Sequence, residues 1–247
     1  MQLNTLKKIL LEIFLPQFCL ICKKQGTIIC LDCLSTIEII EQNFCPFCSS
    51  PHRTFEKGKC DKHRAKALNG LFFATSYAQP VVKKLIARFK YEPYIKNLSQ
   101  PLAYLIIAHF AATKNEVIST DTGKAILVPI PSRGKRQRER GYNQSTEIAK
   151  DLSYFLDIPL AVNNLVKIKN TKPQVGLSRK EREQNLENVF SVKYPQLIKH
   201  KTILLVDDVF TTGSTMEHAA KTLKLAGAHQ VWGVAVAREP FIHKPNK

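Results

Sequence analysis

The tightest constraint on the fold is the stretch Ile203 to Thr215, ILLVDDVFTTGST, where an apolar run gives way to two carboxylates and then to a small, hydroxyl-rich loop. Four consecutive apolar residues, Ile203 to Val206, suit a central strand of a parallel sheet, buried on both faces by helices. Asp207 and Asp208 are therefore expected to emerge at the strand's carboxyl end, where open α/β sheets bind ligands. Thr211, Thr212, Gly213, Ser214 and Thr215 follow, and Met216 to Leu225 has helical character, which sets the hydroxyls at a helix N-terminus. Backbone N–H groups, hydroxyls and the positive end of the helix dipole then converge on a phosphate. Gly213 lets the backbone approach the anion closely. Carboxylates repel a phosphate, so the two acids are expected to accept hydrogen bonds from sugar hydroxyls or to help hold a hydrated Mg²⁺. A ribose 5-phosphate carries both kinds of group. A plain helix cap would not need two acids and Thr-Thr-Gly-Ser-Thr, and a Walker loop would need Gly-Lys-Ser/Thr, which is absent here.

At 247 residues the chain is long enough for one α/β domain with a substantial core and a smaller module. The expected division is 1–68 and 69–247. Lys and Arg total 37 against 20 acids, a formal charge of +17 and a sequence pI near 9.6. That is a large imbalance for an enzyme of a small substrate and implies an anionic partner bigger than a sugar phosphate. Generic solubility charge is the blander account, and the distribution of the charges decides between them. No stretch approaches the roughly 18 to 20 apolar residues of a membrane span. Met1 to Leu15 mimics a signal peptide, but Glu12 interrupts its apolar run and no small-residue cleavage site follows. Leu3, Leu6, Leu10, Ile13 and Phe14 instead mark one face of a short amphipathic helix, expected to pack on the protein or a partner, with peripheral membrane contact the lesser reading.

All 7 cysteines lie between residues 19 and 60. Cys19/Cys22, Cys30/Cys33 and Cys45/Cys48 are Cys-x-x-Cys pairs, and Cys60 with His63 makes a fourth pair of the same spacing. Eight ligands suffice for two tetrahedral structural zinc ions, one held by four cysteines and one by three cysteines and a histidine. A disulfide framework would leave an odd cysteine, and a thioredoxin-like pair would need one such motif in a βαβ setting. Sequential pairing (Cys19, Cys22, Cys30, Cys33; then Cys45, Cys48, Cys60, His63) is the expected scheme over an interleaved cross-brace, which sequence order does not settle. His52 competes with His63 for the eighth position, and should only one ion bind, the Cys60/His63 half is the weaker. With four ligands each, such centres have no open position and serve folding. Two zinc ions and seven thiolates lower the formal charge to about +14, still strongly basic.

Elsewhere, Gly70 to Tyr77, Ala125 to Pro131, Val189 to Val192 and Gln230 to Ala237 read as strands. Pro80 to Phe89, Ile95 to Ala112, Asn143 to Leu156 and Glu181 to Glu187 read as helices. Residues 115–124 look like a loop, and residues 163–180 hold a short strand and then a polar, basic lid-like stretch. Alternating strands and helices imply a parallel sheet with helices on both faces.

Directly after the Val128 to Pro131 strand end, Arg133, Lys135, Arg136, Arg138 and Arg140 place five positive charges in eight residues, offset only by Glu139. A solvated charge run is the bland reading, but this one follows a buried strand whose end should share a rim with Asp207 and Asp208. Ser132 and Arg133, nearest the strand, are placed to bind a pyrophosphate. The outer residues Lys135, Arg136, Arg138 and Arg140, with Tyr142 for stacking, are placed to track a nucleic-acid backbone. Lys167, Lys169, Lys172, Arg179, Lys180 and Arg182 add positive charge from the lid. Aromatic residues are too sparse among them for sequence-specific base readout.

The Ile203 to Thr215 stretch closely resembles the phosphoribosyl diphosphate (PRPP) motif of type I phosphoribosyltransferases. With Arg140-Gly141-Tyr142-Asn143-Gln144-Ser145, Arg182-x-x-Asn185 and the four knuckles, nearly the whole chain resembles the ComF family of competence proteins, also called GntX-like or amidophosphoribosyltransferase-like. Cys-x-x-His at residues 60–63 departs from a fourth Cys-x-x-Cys, an exchange zinc tolerates. The resemblance implies a type I phosphoribosyltransferase fold behind a double zinc-ribbon module. It also implies PRPP bound with Mg²⁺, and a cytoplasmic role in natural transformation, handling incoming single-stranded DNA beside a DNA translocase. The rival reading is an active phosphoribosyltransferase with Asp207, Asp208 and Arg133 as its catalytic residues and no acceptor pocket located in the sequence. A third makes PRPP a regulatory ligand that is bound without turnover.

Overall fold

The computed structural model describes residues 16–54, 58–114, 124–132, 138–168 and 189–241. In chain order these form α1 (Leu31–Ser35), β1 (Gly70–Ser76), α2 (Pro80–Lys90), α3 (Ser99–Thr113), β2 (Ala125–Pro129), α4 (Gln144–Leu156), β3 (Leu165–Lys167), β4 (Phe190–Val192), β5 (Thr202–Phe210), α5 (Ser214–Leu225) and β6 (Gln230–Arg238). The expected N-terminal amphipathic helix, most of the 115–124 loop, the lid beyond Ile168 and the Glu181–Glu187 helix lie outside the described residues. So do Arg133, Lys135, Arg136, Lys169, Lys172, Arg179, Lys180 and Arg182.

Four strands form a parallel sheet in the order β1-β6-β5-β2, and β3 pairs antiparallel with β4 in a separate two-stranded sheet. The inner strands read as near-continuous apolar runs because helices cover both faces. Ile203, Leu204, Leu205 and Val206 are all fully buried. Leu204, Val206, Phe72 and Val234 face a cluster with Leu85 of α2, Ile106 of α3 and Ile148 of α4. Ile203, Leu205, Phe73 and Ala235 face the other, with Met216, Ala219 and Leu223 of α5. Among the described residues no helix is long and apolar enough to cross a membrane.

Strand β5 continues past Val206. It runs through both carboxylates to Phe210, because β6 supplies parallel partners as far as Arg238: Asp207 lies opposite Ala235 and Phe210 opposite Arg238. Likewise α5 begins at Ser214, so the last two hydroxyls of the loop belong to its first turn.

The cysteine-rich segment is built into this core. Cys19, Cys30, Cys33 and Ile37 share the apolar cluster of Phe72, Phe110 and Trp232. The chain then runs along the outer edge of β1, where Ile40 N–H donates to Ala74 O at 2.8 Å and Thr75 Oγ1 donates to Glu38 O at 2.8 Å. Covering an edge strand in this way blocks unwanted pairing. Trp232 stacks on Phe72 at 5.1 Å between centroids and lies so close over Gly58 and Gly70 that a Cβ there would come within 2.4 Å and 2.3 Å of its ring.

Candidate functional site

Asp207 and Asp208 sit near the carboxyl end of β5 in unlike surroundings. Asp207 keeps partial access to solvent, and its Oδ1 accepts Ser145 Oγ–H and the Asp208 N–H, both at 2.9 Å. Asp208 is buried and its Oδ1 pairs with Lys90 Nζ at 2.8 Å. Burial pushes the Asp207 carboxyl up to about 7 and the Asp208 charge adds to this, while Lys90, Ser145 and the Asp208 amide pull the other way. Lys90 is held above its ordinary range: burial opposes its charge, and Asp208 followed by Asp207 outweigh it.

The adjoining loop opens to solvent through Thr211, Thr212, Ser214 and Thr215, with Gly213 buried beneath. Gly213 adopts φ +76°, and a Cβ there would stand 2.5 Å from the Phe210 ring, so both backbone and packing demand glycine. Its carbonyl accepts the Glu217 N–H at 2.9 Å, closing the first turn of α5. The first-turn N–H groups of α5, that of Ser214 already meeting Thr212 Oγ1 at 3.4 Å, four hydroxyl side chains and the helix dipole make an anion cradle. The neighbouring carboxylates suit a ligand bearing hydroxyls beside its phosphate.

The Arg140 to Ser145 motif does most of its work in positioning. Tyr142 O–H donates to Phe89 O at 2.7 Å and Gln144 Nε2 to the same carbonyl at 3.1 Å, fixing the residue before Lys90. Asn143 Nδ2 holds Ile130 O at 2.9 Å, and Ser145 reaches Asp207. Tyr142 is therefore not a stacking platform: it is 8% exposed, its ring packs on Phe89 at 5.5 Å, and burial raises its hydroxyl to about 12. Of the other cations expected at a nucleic-acid surface, Arg138 is exposed, Arg140 lies over the Tyr91 ring at 5.6 Å and Lys167 over Phe190 at 5.7 Å. Ser132 is half-buried at the head of the loop. Lys90 carries no motif signal; a lysine ending an amphipathic helix reads as an ordinary solvated charge. A polar recess of about 330 Å³ lies beside α4, lined by Asn143, Thr146, Glu147, Lys150, Val162 and Leu165 among others.

The eight knuckle ligands gather as two groups in sequential order, Cys19, Cys22, Cys30, Cys33 and Cys45, Cys48, Cys60, His63, each set of donor atoms lying within 4.8 Å. Tetrahedral zinc at a Zn–S length of about 2.3 Å separates sulfurs by roughly 3.8 Å. The Cys22–Cys30 and Cys48–Cys60 sulfurs stand 3.5 Å and 3.6 Å apart, and His63 Nδ1 lies 3.3, 3.7 and 3.2 Å from Cys45, Cys48 and Cys60. Both sets fit structural zinc. His52 is exposed and takes no part.

Residues 95–240 match the phosphoribosyl transferase domain and residues 10–64 the double zinc ribbon domain. Fold and site thus define a phosphoribosyltransferase-type protein carrying two zinc-ribbon centres. Over 228 residues the chain is 32% identical to competence protein F of Haemophilus influenzae, covering 84% of this chain and 96% of that one. It is 29% identical over 230 residues to the DNA utilization protein YhgH of Escherichia coli K12, covering 88% and 96%. With competence protein ComFC of Bacillus subtilis it shares 26% identity over 202 residues, covering 79% and 77%. The chain belongs to the ComF family of competence proteins.

Proposed function

We propose that this protein binds PRPP with Mg²⁺ and handles single-stranded DNA entering the cytoplasm during natural transformation, beside a DNA translocase. The observation that carries the first half is the juxtaposition of the Asp207–Asp208 pair with the Gly213 loop at one end of β5. The loop receives the 5′-phosphate, and the carboxylates, once Lys90 yields or shares Asp208, accept the ribose hydroxyls. Mg²⁺ enters on the pyrophosphate and offsets its charge, with Ser132 and Arg133 as the residues that would meet that group. The DNA half is supported by the +17 charge, by Lys135, Arg136, Arg138 and Arg140 following β2, by Arg179 and Arg182 in the 169–188 stretch, and by the names of the relatives. Tyr142 is withdrawn from it.

Calorimetry with PRPP and Mg²⁺, together with single-stranded DNA binding, tests both halves. Replacing Asp207 and Asp208 by Asn is expected to abolish PRPP binding and leave DNA affinity intact. Changing Arg136, Arg138 and Arg140 to Ala is expected to weaken DNA binding and reduce the salt slope, log Kobs against log [salt], by about 2. Unchanged DNA affinity would remove the basic loop from the interface. The polar recess beside α4 favours a second reading, an active transferase. Ser145 on Asp207 and Asn143 and Thr146 in the recess share one helix end, so an acceptor held there would be close to the ribose. PRPP consumption that depends on Asp207 and Asp208 would establish turnover.

A further inference from the structure

Charged side chains are seldom buried without a compensating partner. Among the described residues Asp208 is buried against Lys90, and two more are buried elsewhere, Glu217 of α5 at 7% exposure and Arg238 at the end of β6 at 6%. Among the described residues neither has a salt bridge. Glu217 spends both oxygens on backbone, accepting Ala67 N–H at 2.9 Å and Leu68 N–H at 3.0 Å. Arg238 directs Nη2 at the carbonyls of Pro46 and Cys48, each at 3.4 Å, while among the described residues Nε and Nη1 have no hydrogen-bond partner. Its guanidinium packs 3.5 Å from the centroid of the Phe241 ring.

Both sets of partners lie within or just after the second zinc centre. Pro46 lies between ligands Cys45 and Cys48, and Ala67 and Leu68 follow ligand His63 after a short turn. Three thiolates around a zinc dication leave a net charge of about −1, a counter-charge for an otherwise unpaired guanidinium. The same two residues bracket the loop at the ligand site. Glu217 N–H bonds to Gly213 O, and Arg238 lies opposite Phe210, whose carbonyl accepts the Glu239 N–H at 2.9 Å. The first centre is joined to the molecule differently, through apolar packing of Cys19, Cys30 and Cys33 on the opposite face of the sheet.

We propose that the second zinc centre anchors the phosphate loop, with Glu217 and Arg238 as the positioning residues that transmit its occupancy to residues 211–215. The inference rests on the reading of that loop as the PRPP phosphate site. Metal at Cys45, Cys48, Cys60 and His63 fixes the backbone that Glu217 and Arg238 grip, and these hold both ends of the loop in its binding shape. Linkage is reciprocal, so a ligand on the loop must retain the second zinc by the factor by which that zinc tightens the ligand.

The test is zinc release to a chromogenic chelator with and without PRPP and Mg²⁺. One of two zinc ions is expected to leave about tenfold more slowly with PRPP bound and the other at an unchanged rate. Cys60→Ser, holding only the first zinc, is expected to show no such protection. Glu217→Gln is expected to keep two zinc ions, bind PRPP about tenfold more weakly and lose the protection. Equal protection of both ions, protection of neither while PRPP binds, or wild-type affinity in Glu217→Gln overturns the proposal. Hydrogen exchange of residues 211–217 reads the coupling without any ligand. It is expected to quicken in Glu217→Gln and Cys60→Ser, and an unchanged rate in both overturns the coupling. If calorimetry shows no PRPP binding, the phosphate reading falls while the exchange comparison still decides the coupling.

Discussion

At the scale of single residues, the site is organised by one cation and two carboxylates of unequal character. Asp207, raised from 3.8 to about 7, holds a proton in the folded protein over a pH range in which the unfolded chain has already lost it. The folded state then binds more protons than the unfolded state, so this residue's contribution to stability falls as pH rises from about 4 to about 7. Asp207→Asn removes that dependence. The variant is expected to match the wild type near pH 4 and to exceed it increasingly up to pH 8, by at most about 4 kcal/mol and by less where solvent screens the site. Urea denaturation across this range checks the prediction, and a stability difference that does not grow with pH would contradict it. Lys90→Met has the opposite sign. It leaves the buried Asp208 carboxylate unpaired, at a cost of about 3 kcal/mol. The acids were legible in the sequence because a strand, two carboxylates and a hydroxyl loop stand in consecutive positions. Lys90 and Glu217 were not, since each acts on residues distant in the chain, and only the closing of the sheet brings them together.

At the scale of elements, the loop between β5 and α5 shows how far local pattern carries. Its glycine, its hydroxyls and its helix were all readable, and Gly213 is required by φ and by Phe210 at once. Gly213→Ala is expected to weaken PRPP binding at least about tenfold and to cost about 2 kcal/mol of stability, measured by calorimetry and thermal melting; wild-type affinity would mean the loop does not contact the ligand. The sequence sets Asp207 and Asp208 at the carboxyl end of β5, and the strand continues two residues past them. Pairing along β6 and the caps supplied by Ser145 and Lys90 carry the strand onward. Tyr142 is where sequence pattern and fold part. Beside arginines an aromatic residue resembles a stacking surface, but α4 turns it inward onto Phe89 O. Tyr142→Phe is accordingly expected to cost about 1 kcal/mol of stability and to leave single-stranded DNA affinity unchanged; a fall in DNA affinity at full stability would return this ring to the interface.

At the scale of the whole molecule, the decisive fact is that metal centres and sheet share one interior. Three cysteine pairs and a Cys-x-x-His in front of an α/β sequence read as an appended module, because spacing identifies ligands and says nothing of what their other faces touch. The fold places Cys19, Cys30 and Cys33 in the cluster of Phe72, Phe110 and Trp232, lays residues 38–40 along β1, and seats Gly58 beneath Trp232. A structural centre contributes its binding free energy to whatever folds around it, so here it stabilises the sheet as well as the knuckles. Stripping both zinc ions at neutral pH is therefore expected to lower the melting temperature of the whole protein in one transition, read alike by tryptophan fluorescence from Trp232 and by far-ultraviolet dichroism. Two separated transitions, with the helical signal surviving zinc loss, would instead mean that the sheet folds independently of the ribbons. A chain beginning at residue 69 tests the same point by subtraction. Without residues 38–40 on β1 and without the cysteine cluster over Phe72, it exposes a strand edge and part of the core, and it is expected to aggregate rather than fold.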